Sequence, residues 1–327
     1  PDLARNELTV DEFSAIFRSL GAGPFWFTLS GGEPFLRSDL TDICDALARY
    51  CRPAIVTIPS NGALPDQIES YTRRILEKMR ETELVINLSL DGIAESHDEI
   101  RGVKGSFKAL LETNMRLRKM KGRHPNLHVG IHTVVSRLNL KDLTKTYDFV
   151  RNELSSDSFL SEVAEERAEL LNERSGLSPS PSEYAEAISK LSMRMKRSLP
   201  SRRDQVSRIT EASRLLYYKI ASETLIEQRQ IIPCYAGIAS CQISAYGEVW
   251  PCCVQGDKQS MGNLRRFDYD FRAVWQSEKA EKIRRSIRRR ECWCPLANAH
   301  YTSMLCSFSC LTQIALNLML PHLERST

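Results

Sequence analysis

Between residues 9 and 163 the chain alternates short apolar runs with longer amphipathic ones, and this alternation constrains the fold more than any other feature of the sequence. Phe25-Trp26-Phe27-Thr28-Leu29, Ala54-Ile55-Val56-Thr57-Ile58 and residues 84–90, 127–135 and 158–163 read as strands. The stretches 39–50, 65–80, 106–121 and 140–154 read as helices. Another helix opens at Thr9, an N-cap with Glu12 as its capping-box partner. Strands separated by helices are expected to run parallel through right-handed crossovers. In barrel-like parallel sheets, ligands meet the loops that follow the C-terminal ends of the strands. Function is therefore to be sought at those ends.

The texture changes further along. Gly-Leu-Ser-Pro-Ser-Pro-Ser at 176–182 reads as a linker, and residues 184–199 and 206–228 read as helices. Arg194, Lys196, Arg197, Arg202 and Arg203 make the stretch between them basic, as a solvated face would be. From residue 231 on, short elements, turns and cysteines dominate. The expected organisation is a barrel core over 1–175, a helical linker over 176–230 and a cysteine-rich α+β domain over 231–327. Eight of the ten cysteines lie in the last 94 residues, and such clustering in a cytosolic chain points to metal or iron–sulfur ligation. The 45 basic and 41 acidic residues are too evenly balanced to suggest nucleic acid. No apolar run reaches the roughly 18 residues of a membrane span, and residues 1–7 do not resemble a signal peptide. A cytoplasmic location is expected.

The strand ends carry the chemistry. The first continues into Ser30-Gly31-Gly32-Glu33-Pro34, where two glycines let the backbone approach a ligand and Glu33 offers a carboxylate. The next ends in Pro59-Ser60-Asn61-Gly62. The third ends in Ser89-Leu90-Asp91-Gly92, with His97, Asp98 and Arg101 downstream, and the fourth contains Gly130-Ile131-His132-Thr133-Val134-Val135. In this order the four segments resemble the SAM-binding strand ends of radical S-adenosylmethionine (SAM) enzymes. The resemblance implies a partial (β/α)6 TIM-like barrel that lacks its first strand and cluster loop. It also implies a SAM site at Gly31, Gly32, Glu33, Ser60, Asn61, Ser89, Asp91, Arg101 and Val134. Glu33 would meet the methionyl ammonium, Ser60, Asn61 and Ser89 hydroxyl groups, Arg101 the carboxylate, and Val134 the adenine. His132 reads as a barrel-interior histidine, and no catalytic residue is assigned.

The C-terminal pattern is Pro233-Cys234, Gly247-Glu248-Val249-Trp250-Pro251-Cys252-Cys253, Met261-Gly262-Asn263-Leu264 and Cys292-Trp293-Cys294-Pro295. It resembles the SPASM/Twitch auxiliary domain of the same enzymes. That implies an auxiliary [4Fe–4S] cluster on Cys234, Cys252, Cys292 and Cys294, although the pattern alone does not choose between Cys252 and Cys253. The spacing suits a single cluster. The family's Cys-x3-Cys-x2-Cys is not found: Cys44 is the first cysteine, and Cys306-x3-Cys310 is followed by Gln313. We expect those ligands of the radical SAM [4Fe–4S] cluster in a segment before Pro1. The implied activity is reductive SAM cleavage to a 5′-deoxyadenosyl radical, which abstracts hydrogen from a peptide, sugar or lipid-precursor substrate. A flavodoxin or ferredoxin would supply electrons. The rival is a non-catalytic iron–sulfur or zinc scaffold, since four thiolates also suit zinc.

Overall fold

The fold is taken from a computed structural model that describes residues 6–165, 176–198 and 205–323. Helix α1 (Val10–Leu20) begins as expected: Thr9 Oγ1 accepts from the Glu12 N–H while the Thr9 N–H donates to the Glu12 carboxylate. There follow β1 (Trp26–Thr28), α2 (Leu40–Tyr50), β2 (Ile55–Ser60), α3 (Pro65–Lys78) and β3 (Glu83–Ser89). Next come α4 (Glu95–Arg101), α5 (Ser106–Lys121), β4 (Leu127–Val135), α6 (Leu143–Phe149) and β5 (Ser158–Val163). The five strands pair in sequence order, all parallel. They form the curled half-barrel expected of a partial TIM barrel. The helix expected over 140–154 is built in three geometries, with a 3₁₀ turn before α6 and a π turn over Val150–Leu154 after it.

Side chains alternate between the two faces of each strand. Val56, Ile58, Leu84, Ile86, Leu88, Val129 and Ile131 are buried and join the core beneath the helices. The opposite, concave face mixes polar and apolar side chains. Trp26 Nε1 donates to Thr57 Oγ1 at 3.0 Å across the first two strands. His128 Nε2 lies 2.6 Å from Glu83 Oε2, and His132 Nε2 lies 3.0 Å from Glu162 Oε2. Gly130 lies between Asn87 and Ser158, where a Cβ would fall 2.2 Å and 2.6 Å from their side-chain oxygens.

Two long helices, α7 (Pro181–Ser198) and α8 (Gln205–Glu227), follow the barrel strands. Ser180 and Glu183 form a second capping box that starts α7. The expected linker at 176–182 therefore includes that cap, while Arg202 and Arg203 of the basic stretch lie outside the described residues. Helix α8 connects barrel and cysteine segment: the Tyr218 hydroxyl accepts from the Ser161 N–H, and Tyr217 donates to the Pro295 carbonyl.

The last part holds a three-stranded antiparallel sheet, β6 (Gln242–Ile243), β7 (Glu248–Trp250) and β8 (Gly262–Asn263). Gly247, at φ 86°, makes the turn from β6 to β7. Helices α9 (Phe271–Trp275), α10 (Glu278–Arg288), α11 (Ala297–Leu305) and α12 (Phe308–Leu323) complete it. The last two were not anticipated, because their cysteines, serines and aromatics show no clean amphipathic period. Leu8 and Ile16 join Val249, Met261, Leu264 and Val274 in a second core, so α1 packs on both barrel and cysteine region. Arg265 reinforces this seam by donating to Glu12 and to the Asn6 and Glu7 carbonyls. No described helix is long and apolar enough to cross a membrane.

Candidate functional site

The C-terminal ends of β1 and β2 are joined by Glu33. Its Oε2 accepts from the Asn61 N–H at 2.7 Å, and its Oε1 accepts from the Phe35 N–H at 3.2 Å, capping the 3₁₀ turn Pro34–Leu36. Gly31 and Gly32 are exposed beside it, and a Cβ on either would meet nothing within 4 Å. Among the described residues, the space just over this backbone is open, as a site for a flat or extended ligand requires. Asn61 is exposed, with Oδ1 turned back to accept from the Ala63 N–H.

Ser60 is placed differently from the expectation that it shares a cavity with Glu33. It has the strand parity of Val56 and Ile58, is 3% exposed, and accepts from the Gly62 N–H through Oγ. It serves its own turn on the helix side of the sheet. Ser89 lies on the concave face, in register with His132, and Val134 is 36% exposed on the same face.

Asp91 and Arg101 bind each other. Arg101 Nη2 lies 2.8 Å from Asp91 Oδ2, and Asp91 Oδ1 accepts from the Val134 N–H at 2.8 Å. The Asp91 N–H donates to His97 Nδ1, and its carbonyl accepts from Asn139. Burial, reinforced by the Arg101 charge, lowers the His97 pKa, in keeping with a ring that accepts here. Asp91 thus ties the end of β3 to β4 and α4 instead of presenting a free carboxylate. Near the end of β5, Glu162 approaches His132 through Oε2 while Oε1 accepts from the Ala297 N–H at the start of α11. Of the charged residues after β5, Glu166, Arg167 and Glu169 lie outside the described residues.

In the cysteine region, Cys234, Cys252, Cys292 and Cys294 all line one open recess. Cys253 does not line it. Gln230 braces the walls: its Nε2 donates to the Ile287 and Cys292 carbonyls, and its Oε1 accepts from the Cys234 N–H. Ser303 accepts from the Tyr235 N–H. Burial raises the pKa of all four thiols, that of Cys252 to about 12. Thiols so disfavoured as thiolates need nearby positive charge to ionise, which metal ions provide. Among the described residues no three His, Cys, Asp or Glu side chains gather tightly enough to hold one ion. The four cysteines share the recess, but the expected convergence on one metal position is not formed. Cys44 and Cys51 are buried in the barrel core, with pKa values pushed up to about 12 and about 11 by burial.

Comparison with known families decides the assignment. Residues 4–150 match the radical SAM superfamily, and residues 234–295 match the iron–sulfur cluster-binding domain called SPASM. The chain thus carries a radical SAM domain followed by a SPASM domain. Its cofactors are SAM and [4Fe–4S] clusters, an auxiliary cluster among them, and both the open backbone at Gly31-Gly32 and the four-thiol recess fit that set. A relative from Methanosarcina barkeri (strain Fusaro / DSM 804), "AdoMet-dependent heme synthase", is 28% identical over 85% of this chain and 76% of its own. "Fe-coproporphyrin III synthase" from the same organism is 32% identical over 45% of this chain, a match spanning only 34% of that relative's length. Among solved structures, "Native anSMEcpe with bound AdoMet and Kp18Cys peptide" aligns at a TM-score of 0.60 and 17% identity, covering 84% of this chain and 74% of that one. At that identity it shows the fold alone.

Proposed function

We propose that this radical SAM protein reductively cleaves SAM to a 5′-deoxyadenosyl radical that takes a hydrogen atom from an organic substrate on the concave face of the half-barrel. The observation that carries this reading is the Glu33 carboxylate, held at the strand ends beside the open Gly31-Gly32 backbone. Gly31, Gly32, Glu33, Asn61, Ser89 and Val134 are the proposed SAM contacts, with Asp91 and Arg101 shaping the site from behind. The auxiliary cluster is proposed on Cys234, Cys252, Cys292 and Cys294. SAM and the clusters supply the radical chemistry, and the chain's own residues bind, orient and exclude water.

The described strand residues of the concave face include no lysine or arginine, and toward the C-terminal strand ends one is acidic, Glu162. Such a wall suits a neutral or cationic substrate, and a peptide is the class proposed first. A tetrapyrrole is the second reading, favoured by the M. barkeri heme synthase that aligns along most of this chain. The decisive assay is anaerobic release of 5′-deoxyadenosine from SAM by the full-length, cluster-reconstituted protein, with peptide and porphyrin substrates in parallel. Glu33→Ala is expected to abolish release while iron content stays unchanged. Full release by that variant refutes the SAM assignment. Stoichiometric zinc without iron uptake supports the scaffold reading instead.

A further inference from the structure

Helix α11 begins just after Cys294, and the residues that lead into it are pinned one after another. The Tyr217 hydroxyl donates to the Pro295 carbonyl at 3.0 Å, and His300 Nδ1 donates to the Leu296 carbonyl at 2.9 Å. Leu296, the N-cap, offers no side-chain cap of its own. Glu162 of β5 supplies one: its Oε1 accepts from the Ala297 N–H at 2.7 Å. A carboxylate there satisfies an N–H that the helix cannot, and it suits the positive end of the helix dipole. The other oxygen, Oε2, lies 3.0 Å from His132 Nε2 on the concave face. One side chain therefore touches both the proposed substrate face and the segment that carries Cys294.

The same helix forms a wall of the four-cysteine recess through Ala299, His300 and Ser303. Burial raises the Cys294 pKa, and a hydrogen bond from the Leu296 N–H to its sulfur acts the other way. Where that N–H points depends on how the helix start is held. The Glu162 charge also reaches inward. Burial raises the pKa values of Tyr184 and Tyr217, and Glu162 is among the groups that add to this. Burial lowers that of His300, and Glu162 is among the groups that oppose it. Tyr217 and His300 are themselves buried, packed edge to face with ring centroids 5.9 Å apart. A charge in such surroundings is weakly screened.

We propose that Glu162 is a positioning residue for the auxiliary centre: it fixes the start of α11 behind Cys294, and its negative charge holds the reduction potential of that centre down. This rests on the assignment of Cys234, Cys252, Cys292 and Cys294 to an iron–sulfur cluster. Hydrogen bonds to the sulfurs and nearby charge are both levers on such a potential. The reduced cluster carries one more negative charge than the oxidised one, so a fixed carboxylate nearby disfavours reduction. A role confined to structure needs the hydrogen bond alone, and glutamine would fill it.

The test uses the full-length, cluster-reconstituted protein with its iron counted. The auxiliary centre is identified as the reduced-state electron paramagnetic resonance signal that Cys234→Ala lacks, and titration of that signal with dithionite gives its midpoint. Glu162→Gln keeps an acceptor for the Ala297 N–H and removes the charge. It should favour the reduced state about tenfold, a rise in midpoint of about 59 mV for one electron, with hydrogen exchange at the Ala297 amide unchanged. Glu162→Ala should raise the midpoint as well and speed that exchange about fivefold. A wild-type midpoint in Glu162→Gln overturns the proposal, as does iron loss from that variant, which would make Glu162 structural. Unchanged exchange in Glu162→Ala overturns the placing of α11. Failure of the wild type to load iron overturns the cluster assignment, and this proposal with it.

Discussion

Asp91→Ala separates two roles that the strand-end motif leaves mixed, ligand contact and internal brace. Asp91 is 5% exposed and accepts a charge-assisted bond from the Val134 N–H at 2.8 Å. Such a bond contributes about 1.5–3 kcal/mol. The ion pair with Arg101 adds roughly 1 kcal/mol, because the Arg101 side chain is 29% exposed and water recovers part of its solvation. The variant should therefore lose about 3 kcal/mol. With an unfolding entropy of about 2.1 cal/mol/K per residue, a 327-residue chain melts with roughly 0.7 kcal/mol/K, so Tm should fall by about 4 °C. Arg101→Ala should cost about 1 kcal/mol, and the double variant should cost less than the sum of the two singles. Calorimetric melting of the three variants, alongside equilibrium SAM binding, checks the account. An unchanged Tm in Asp91→Ala together with a large loss of SAM affinity would refute the brace and return Asp91 to the ligand.

Cys234→Ala should lose about four irons per chain and the matching charge-transfer absorption, with the barrel still folded by circular dichroism. The Arg265 guanidinium, with help from Thr9 and Tyr269, holds the Glu12 carboxyl at about 2, down from an ordinary 4.5. A depressed carboxylate stabilises the fold above its unfolded pKa and loses that contribution as pH falls through the folded one. The gap in urea midpoint between wild type and Arg265→Ala, measured on cluster-free protein, should be full at pH 7 and close between about pH 4.5 and 2; a gap independent of pH contradicts the clamp. Gly92→Ala places a Cβ 2.7 Å from Ser96 Oγ and 2.9 Å from the His97 nitrogen, so α4 must shift. That should cost about 1–3 kcal/mol in thermal melting, whereas Gly31→Ala, with open space, should leave melting unchanged.

What the amino-acid sequence determined by itself was local. Apolar runs between amphipathic stretches specify parallel strands and their order, because side-chain periodicity is set within a few residues. The Thr9–Glu12 cap was legible for the same reason. The strand-end motifs and the cysteine-rich region were legible as patterns of residue type. Tertiary structure alone decided which face a strand-end side chain takes: one residue of parity puts Ser60 under the helices and Ser89 on the concave face. It also decided that Asp91 and Arg101 satisfy each other, since the turn into α4 brings them together. The contact between Glu162 and the start of α11 joins residues 135 positions apart, and no local period records it. Cys234 and Cys292, 58 positions apart, line one recess only because β7, β8 and α10 fold back on each other and Gln230 braces their walls. Contacts at such separations depend on the path and register of the whole chain, and those are settled when the two cores pack.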